Sequence, residues 1–169
     1  GQHGTARWAT QPEIKKTYKH VLFEPEKWRT DASTRPKEQG IVVGCTSTKE
    51  STTAMIDTGD VHCMMIGAAG VGKTAYWLYP NLEYACASGM SFMTTDTKGD
   101  LLRNYGSIAT KCYGYKISVI DLRNPMRSSG NNLLHLVNKY MDLYAKEPTK
   151  IEYKAKAEKY AKIIAKTII

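Results

Sequence analysis

Eight consecutive residues carry the chemistry that is easiest to read: Gly67-Ala-Ala-Gly70-Val-Gly72-Lys73-Thr74. They fit the pattern G-x-x-x-x-G-K-[ST] at every fixed position. Gly67, Gly70 and Gly72, with Ala69 and Val71 between them, let backbone N–H groups curl around phosphate oxygens with little Cβ obstruction. Lys73 has the reach to meet β- and γ-phosphate oxygens, and the Thr74 hydroxyl can ligate Mg²⁺. A helix opening at Gly72–Thr74 adds the positive end of its dipole. The predicted chemistry is binding of Mg-ATP.

Hydrolysis by a motor of this kind also requires an acid at the end of an apolar strand, holding Mg²⁺ through water. Asp96 follows the apolar run Met90–Thr95, and Asp121 lies within Ile117–Leu122. Neither is followed by a glutamate that could polarise an attacking water. Three readings stand open: Asp96, Asp121, or an acid beyond Ile169. Asp96 also reads as a polar strand-end residue that positions the next loop. No catalytic residue is assigned. Four cysteines, Cys45, Cys63, Cys86 and Cys112, form no C-x-x-C pair, so reduced thiols are expected rather than a zinc site or disulfide framework.

The elements that must position these groups follow from periodicity. Gly40–Gly44 is a short strand candidate. Thr52–Asp57 and Val61–Ile66 flank Thr58-Gly59-Asp60, which reads as a hairpin turn. Val61–Ile66, Met90–Thr95 and Ile117–Leu122 then read as strands, with helices after the glycine loop and over Leu101–Tyr113. That rhythm predicts an α/β fold with a mainly parallel sheet. Pro80, six residues past Thr74, must end or kink the first helix. Leu133 to Tyr144 show helical spacing up to Pro148, and Thr149-x-x-Glu152 has the capping-box pattern for a further helix. Tyr153, Ala157, Tyr160, Ala161, Ile164 and Ile168 make its apolar stripe, with six lysines from Lys150 to Lys166 mostly off it. The apolar end at Ile168-Ile169, with no closing glycine, is expected of a truncated chain. Residues 1–35 read as an extended strap.

At 169 residues, 42% apolar and 24% charged, the chain has the composition of a soluble globular domain. Its 24 basic against 16 acidic residues give a net charge of +8, which favours polyanionic neighbours such as nucleic acid or an anionic membrane face. A solvated lysine-rich surface accounts for the charge equally well. Trp8, Trp28 and Trp77 are open between core anchors and base-stacking platforms.

Several short stretches, in order, resemble the TraG-like coupling proteins of conjugation and type IV secretion. His3-Gly-Thr-Ala-Arg7-Trp8-Ala9 resembles the family's HGSARWA-type segment, and Thr58–Thr74 its strand and Walker A loop. Pro80-Asn81 matches its Pro-Asn pair, and Thr95–Leu101 (TDTKGDL) resembles its TDPKGEL box. Asn124-Pro125, Ser128 and Asn132-Leu133 resemble its NP…S…NPL region. Thr97 stands where the family has proline, Asp100 where it has glutamate and Leu133 where it often has proline.

The resemblance implies a RecA/FtsK-like P-loop ATPase core. Residues 1–60 would be the strap and hairpin of the motor domain, 61–132 the nucleotide-binding core, and 133–169 the start of an inserted all-helical domain. It implies ATP and Mg²⁺ as cofactors, with Asp96 and Lys98 as further candidate site residues. It implies a homo-hexamer at the cytoplasmic face of the bacterial cell membrane, anchored in the intact protein by segments this chain lacks. Such a protein is expected to deliver DNA and its bound relaxase to the type IV secretion channel, with no small-molecule substrate beyond ATP. Two rival expectations are a self-contained small P-loop kinase or ATPase, and a non-catalytic nucleic-acid-binding adaptor.

Overall fold

The computed structural model describes residues 7–130 and 132–168. His3–Ala6 of the arginine-tryptophan segment and Ile169 of the apolar end lie outside the described residues. In chain order the elements are α1 (Gln11–Thr17), β1 (Lys19–Leu22), α2 (Pro25–Thr30), β2 (Ile41–Ser47), β3 (Thr52–Asp57), α3 (Tyr79–Ala87), α4 (Asp100–Lys111), α5 (His135–Lys146) and α6 (Ile151–Ile168). A π-turn at Thr74–Leu78 leads into α3. The chain divides into two compact units, Gly1–Ile117 and Ser118–Ile169.

The first unit is built on an antiparallel sheet of order β1-β3-β2. The four-residue turn Thr48–Ser51 joins β2 to β3, and the Thr48 hydroxyl accepts from the Glu50 and Ser51 N–H groups. Thr48 N–H returns to the Ser51 carbonyl at 2.8 Å. Closing so short a loop costs little chain entropy, which favours this local pairing. A bulge between Val42 and Gly44 bends β2.

Helix α3 lies at the centre, with every residue from Leu82 to Ala87 buried. Trp28 of α2, 2% exposed, packs edge-on against Phe23 at 5.1 Å and Tyr84 at 6.1 Å. Leu101, Tyr105 and Ala109 of α4 recur every four residues and bring one helical face to the same core. The N-terminal region is therefore more than a strap. It supplies a strand of the sheet and, in Trp28, a core anchor.

The expected parallel sheet is overturned. Among the described residues the only ladders are antiparallel, and Val61–Ile66, Met90–Thr95 and Ile117–Leu122 form no strand. Met64 and Ile66 are 84% and 87% exposed, and Met93 is 94% exposed. A RecA/FtsK-like P-loop core with a mainly parallel sheet is thus not what this chain forms. The physical reason is that strand propensity measures fit to a pleated, half-buried surface and not an intrinsic backbone choice. An apolar run without a neighbouring strand and a covering layer has nothing to pair with. The hairpin also differs from expectation. Thr52–Asp57 pairs with β1 and β2, and Thr58–Asp60 is a turn in which Gly59 N–H donates to the Asp57 carboxylate at 2.8 Å.

In the second unit α5 and α6 form a helical hairpin. Tyr140 stacks on Tyr160 with ring centroids 5.7 Å apart and lies 6.5 Å from Tyr153, while Ala157 is buried in the seam. Helix α6 begins at Ile151, so the Thr149 capping box gives way to a Glu147–Lys150 ion pair at 2.6 Å. The lysines of α6 are exposed.

Candidate functional site

The glycine loop sits ahead of the π-turn with two of its residues in left-handed backbone: Gly70 at φ +80° and Gly72 at φ +84°. Side chains with a Cβ are strained there, which is why the sequence places glycine at both. Gly67 is needed for space. A Cβ on it would lie 2.9 Å from a Val71 methyl. A Cβ on Gly72 would meet the Tyr76 ring at 2.4 Å.

Lys73 closes the loop on itself. Its Nζ donates to the Gly67 carbonyl at 2.6 Å and to the Ala68 carbonyl at 2.7 Å. The backbone N–H groups of Gly70, Gly72 and Lys73 donate to no protein acceptor among the described residues. A curled run of free N–H donors beside one ammonium is an arrangement that attracts anions. Thr74 and Val71 are exposed, and Ala69 lies in the turn at the loop's crown. A triphosphate therefore fits the donor set. Lys73 would hold its outer oxygens, the loop N–H groups its inner ones, and the Thr74 hydroxyl a Mg²⁺ carried with it.

The helix that follows departs from a regular start. Tyr79 N–H bonds back to the Thr74 carbonyl, five residues before it. Pro80 has no N–H to give the ladder, and its ring crowds the carbonyl four residues back. Widening to π spacing relieves both. The helical run does not end at Pro80, and its spacing changes from π to α just before it.

Of the acids, Asp96 lies in the loop before α4, where its carboxylate accepts from Leu102 N–H at 3.1 Å. It thus satisfies one of the helix's free donors and favours its positive end. Asp121 is taken up in a turn of the second unit, accepting from Arg123 and Asn124 N–H at 2.9 Å each. Lys98 is exposed, and no hydrogen bond or ion pair joins it or Asp96 to the glycine loop among the described residues. Tyr79 and Asn104, 2.9 Å apart, tie the start of α3 to α4. Of the tryptophans, Trp28 is core, Trp8 is almost wholly exposed and Trp77 is half-buried. No group of three His, Cys, Asp or Glu side chains that could hold a metal ion occurs among the described residues.

Behind the loop, α3 carries a polar centre that sequence reasoning missed. Glu83, 4% exposed, accepts from Arg29 Nε at 2.9 Å and Nη2 at 2.5 Å. It also accepts from the Tyr105 hydroxyl at 2.5 Å and from that of Tyr113. The carboxylate thus binds α2, α3 and α4 together. Burial, and then the bond to Glu83, push both tyrosine hydroxyls well above their ordinary range, so they stay protonated donors. The bond to Glu83 likewise holds the Arg29 guanidinium in its charged form. The available signal was a lone carboxylate within the apolar run Leu82–Ala87.

No helix among the described residues is long and apolar enough to cross a membrane. Set against known proteins, the chain matches no family model, no curated protein and no solved structure.

Proposed function

We propose that the loop Gly67–Thr74 binds Mg-ATP, and that the protein acts as part of an ATP-driven coupling protein delivering DNA with its relaxase to a type IV secretion channel. The observation that carries the binding step is the loop's geometry. Gly70 and Gly72 take positive φ, free N–H donors follow one another, and Lys73 Nζ lies against two loop carbonyls. When Lys73 exchanges two neutral carbonyls for charged phosphate oxygens it gains stronger, charge-assisted bonds. The bound nucleotide would supply a phosphoanhydride bond for hydrolysis. The residues of this chain would hold and orient it.

The ordered sequence resemblance supports the rest of the reading: work as a homo-hexamer at the cytoplasmic face of the bacterial cell membrane, with ATP hydrolysis in the intact protein. The net charge of +8 and the exposed lysines of α6 suit a DNA partner. The test is calorimetry of Mg-ATP against the chain and its Lys73→Ala variant. Saturable binding by the parent, lost in the variant, is the expected result. Equal binding by both would remove Lys73 from the site, and no binding by the parent would end the reading.

A further inference from the structure

Asn81 stands two residues inside α3, and its side-chain amide is matched to both backbone polar groups of one residue of the sheet. Its Oδ1 accepts from Val42 N–H at 2.8 Å, and its Nδ2 donates to the Val42 carbonyl at 3.1 Å. The same Nδ2 donates to the Trp77 carbonyl at 3.0 Å, inside the π-turn. Strand β2 is an edge strand, and Val42 sits at its bulge. There the amide completes the edge as a further strand would, pairing a donor and an acceptor at once. The Pro80-Asn81 pair thus has two halves: the proline widens the turn, and the asparagine pins it to the sheet.

The pin matters because the glycine loop has no hydrogen-bonded strand leading into it, since residues 61–66 pair with nothing among those described. The loop's position is therefore set from its far side, through Thr74–Leu78 and α3. Asn81 is the polar tie from that segment to the sheet itself. We infer that Asn81 is a positioning residue for the phosphate loop. It sets nucleotide affinity without touching the nucleotide, by holding the π-turn and the loop's exit in one place against β2. This rests on the reading of Gly67–Thr74 as a triphosphate site.

The chemistry dictates which replacements fail. Leucine has the shape of asparagine and neither hydrogen-bonding group. Aspartate keeps the acceptor for Val42 N–H and turns a repelling oxygen toward the Val42 and Trp77 carbonyls. Glutamine has all the groups, one methylene too far out. A loop released from its pinned position spends only a fraction of its time competent, and apparent affinity falls by that fraction.

The experiment measures Mg-ATP and inorganic triphosphate affinity by calorimetry for the parent, Asn81→Leu, Asn81→Asp and Tyr84→Phe, with melting followed by circular dichroism. Tyr84→Phe removes a bond from the same helix to the Glu38 carbonyl, 2.8 Å away and remote from the loop, and serves as the matched loss of stability. The expected result is a loss of about tenfold for both ligands in both Asn81 variants, with Tyr84→Phe binding as the parent does. Parent-like affinity in the Asn81 variants overturns the inference. So does a loss in Tyr84→Phe that follows its melting temperature as closely as theirs does, or unfolding of both Asn81 variants, because Asn81 is then a stability residue alone. A parent that binds neither ligand overturns the nucleotide reading itself, an outcome distinct from these.

Discussion

Replacing Glu83 by glutamine tests the packing account at its centre. Each carboxylate oxygen of Glu83 accepts one arginine N–H and one tyrosine O–H: Oε1 from Arg29 Nε and Tyr113, Oε2 from Arg29 Nη2 and Tyr105. An amide in the same place keeps one of these pairs, whichever way it turns, and opposes the other with N–H groups. The displaced tyrosine can rotate its hydroxyl and accept. The arginine N–H cannot, because guanidinium has no acceptor. Breaking a buried charged pair costs about 3–5 kcal/mol, and a lost bond to a charged group about 1.5–3. Arg29 is partly open to water, its side chain 34% exposed, which lets solvent recover part of the loss. The expected destabilisation is therefore about 3 kcal/mol, or roughly a hundredfold in the unfolding equilibrium. Tyr105→Phe removes one bond to the charged carboxylate and leaves the ion pair, so about 2 kcal/mol is expected. Urea unfolding followed by tryptophan fluorescence reads both, because Trp28 is packed in the same core. A Glu83→Gln protein within about 0.5 kcal/mol of the parent would refute the claim that this cluster holds α2, α3 and α4 together.

Two further expectations rest on titrating groups. Burial pushes the Cys86 thiol up to about 12, whereas Cys45 and Cys63 are exposed. At mildly alkaline pH a disulfide reagent should therefore label Cys45 and Cys63 readily and Cys86 only after denaturation, read by peptide mass mapping; native labelling of Cys86 at the rate of Cys63 would contradict this packing. At the N-terminus Arg7 bonds the Glu13 carboxylate, with Thr10 N–H at 2.7 Å adding to it, and together they hold Glu13 down at about 2. A depressed acid stabilises the fold above its unfolded value, near 4.3, and that contribution disappears as pH falls through the folded value. NMR of the Glu13 carboxyl should find the low midpoint in the parent and a higher one in Arg7→Gln, still below the ordinary value because the Thr10 bonds remain, and an ordinary midpoint in the parent would count against the ion pair.

Helices α4, α5 and α6 were legible from local spacing, whereas α1 and α2 lie in the region read as an extended strap. Leu101, Tyr105 and Ala109 repeat along α4, and Tyr153, Ala157, Tyr160 and Ile164 along α6, and such stripes need only one partner face to be satisfied. The glycine loop was legible because its residue types are demanded by backbone angles and close approach. Of the strands, Thr52–Asp57 was legible as β3 and Gly40–Gly44 as part of β2, whereas the runs expected to build a parallel sheet form no strand. Val61–Ile66 and Ile117–Leu122 have strand composition, yet a ladder requires a second segment, which composition alone does not locate. Conversely, Lys19–Leu22 joins the sheet from a polar region because β3 offers it a free edge. Glu83 went unread, and Asn81 was read only as part of a motif without its role, for a related reason. Each acts through partners far along the chain, Arg29 and Tyr113 for one and Val42 for the other, and a single residue in a pattern does not name such partners.

The central claim is that Gly67–Thr74 is a triphosphate cradle. The most direct measurement is the amide spectrum of an isotope-labelled chain titrated with Mg-ATP. The account predicts saturable shifts of the Gly70, Gly72, Lys73 and Thr74 amides, with the remote amides of β1 unmoved and the shifts abolished in Lys73→Ala. Unmoved loop amides at saturating nucleotide, or shifts that persist unchanged in Lys73→Ala, would contradict it.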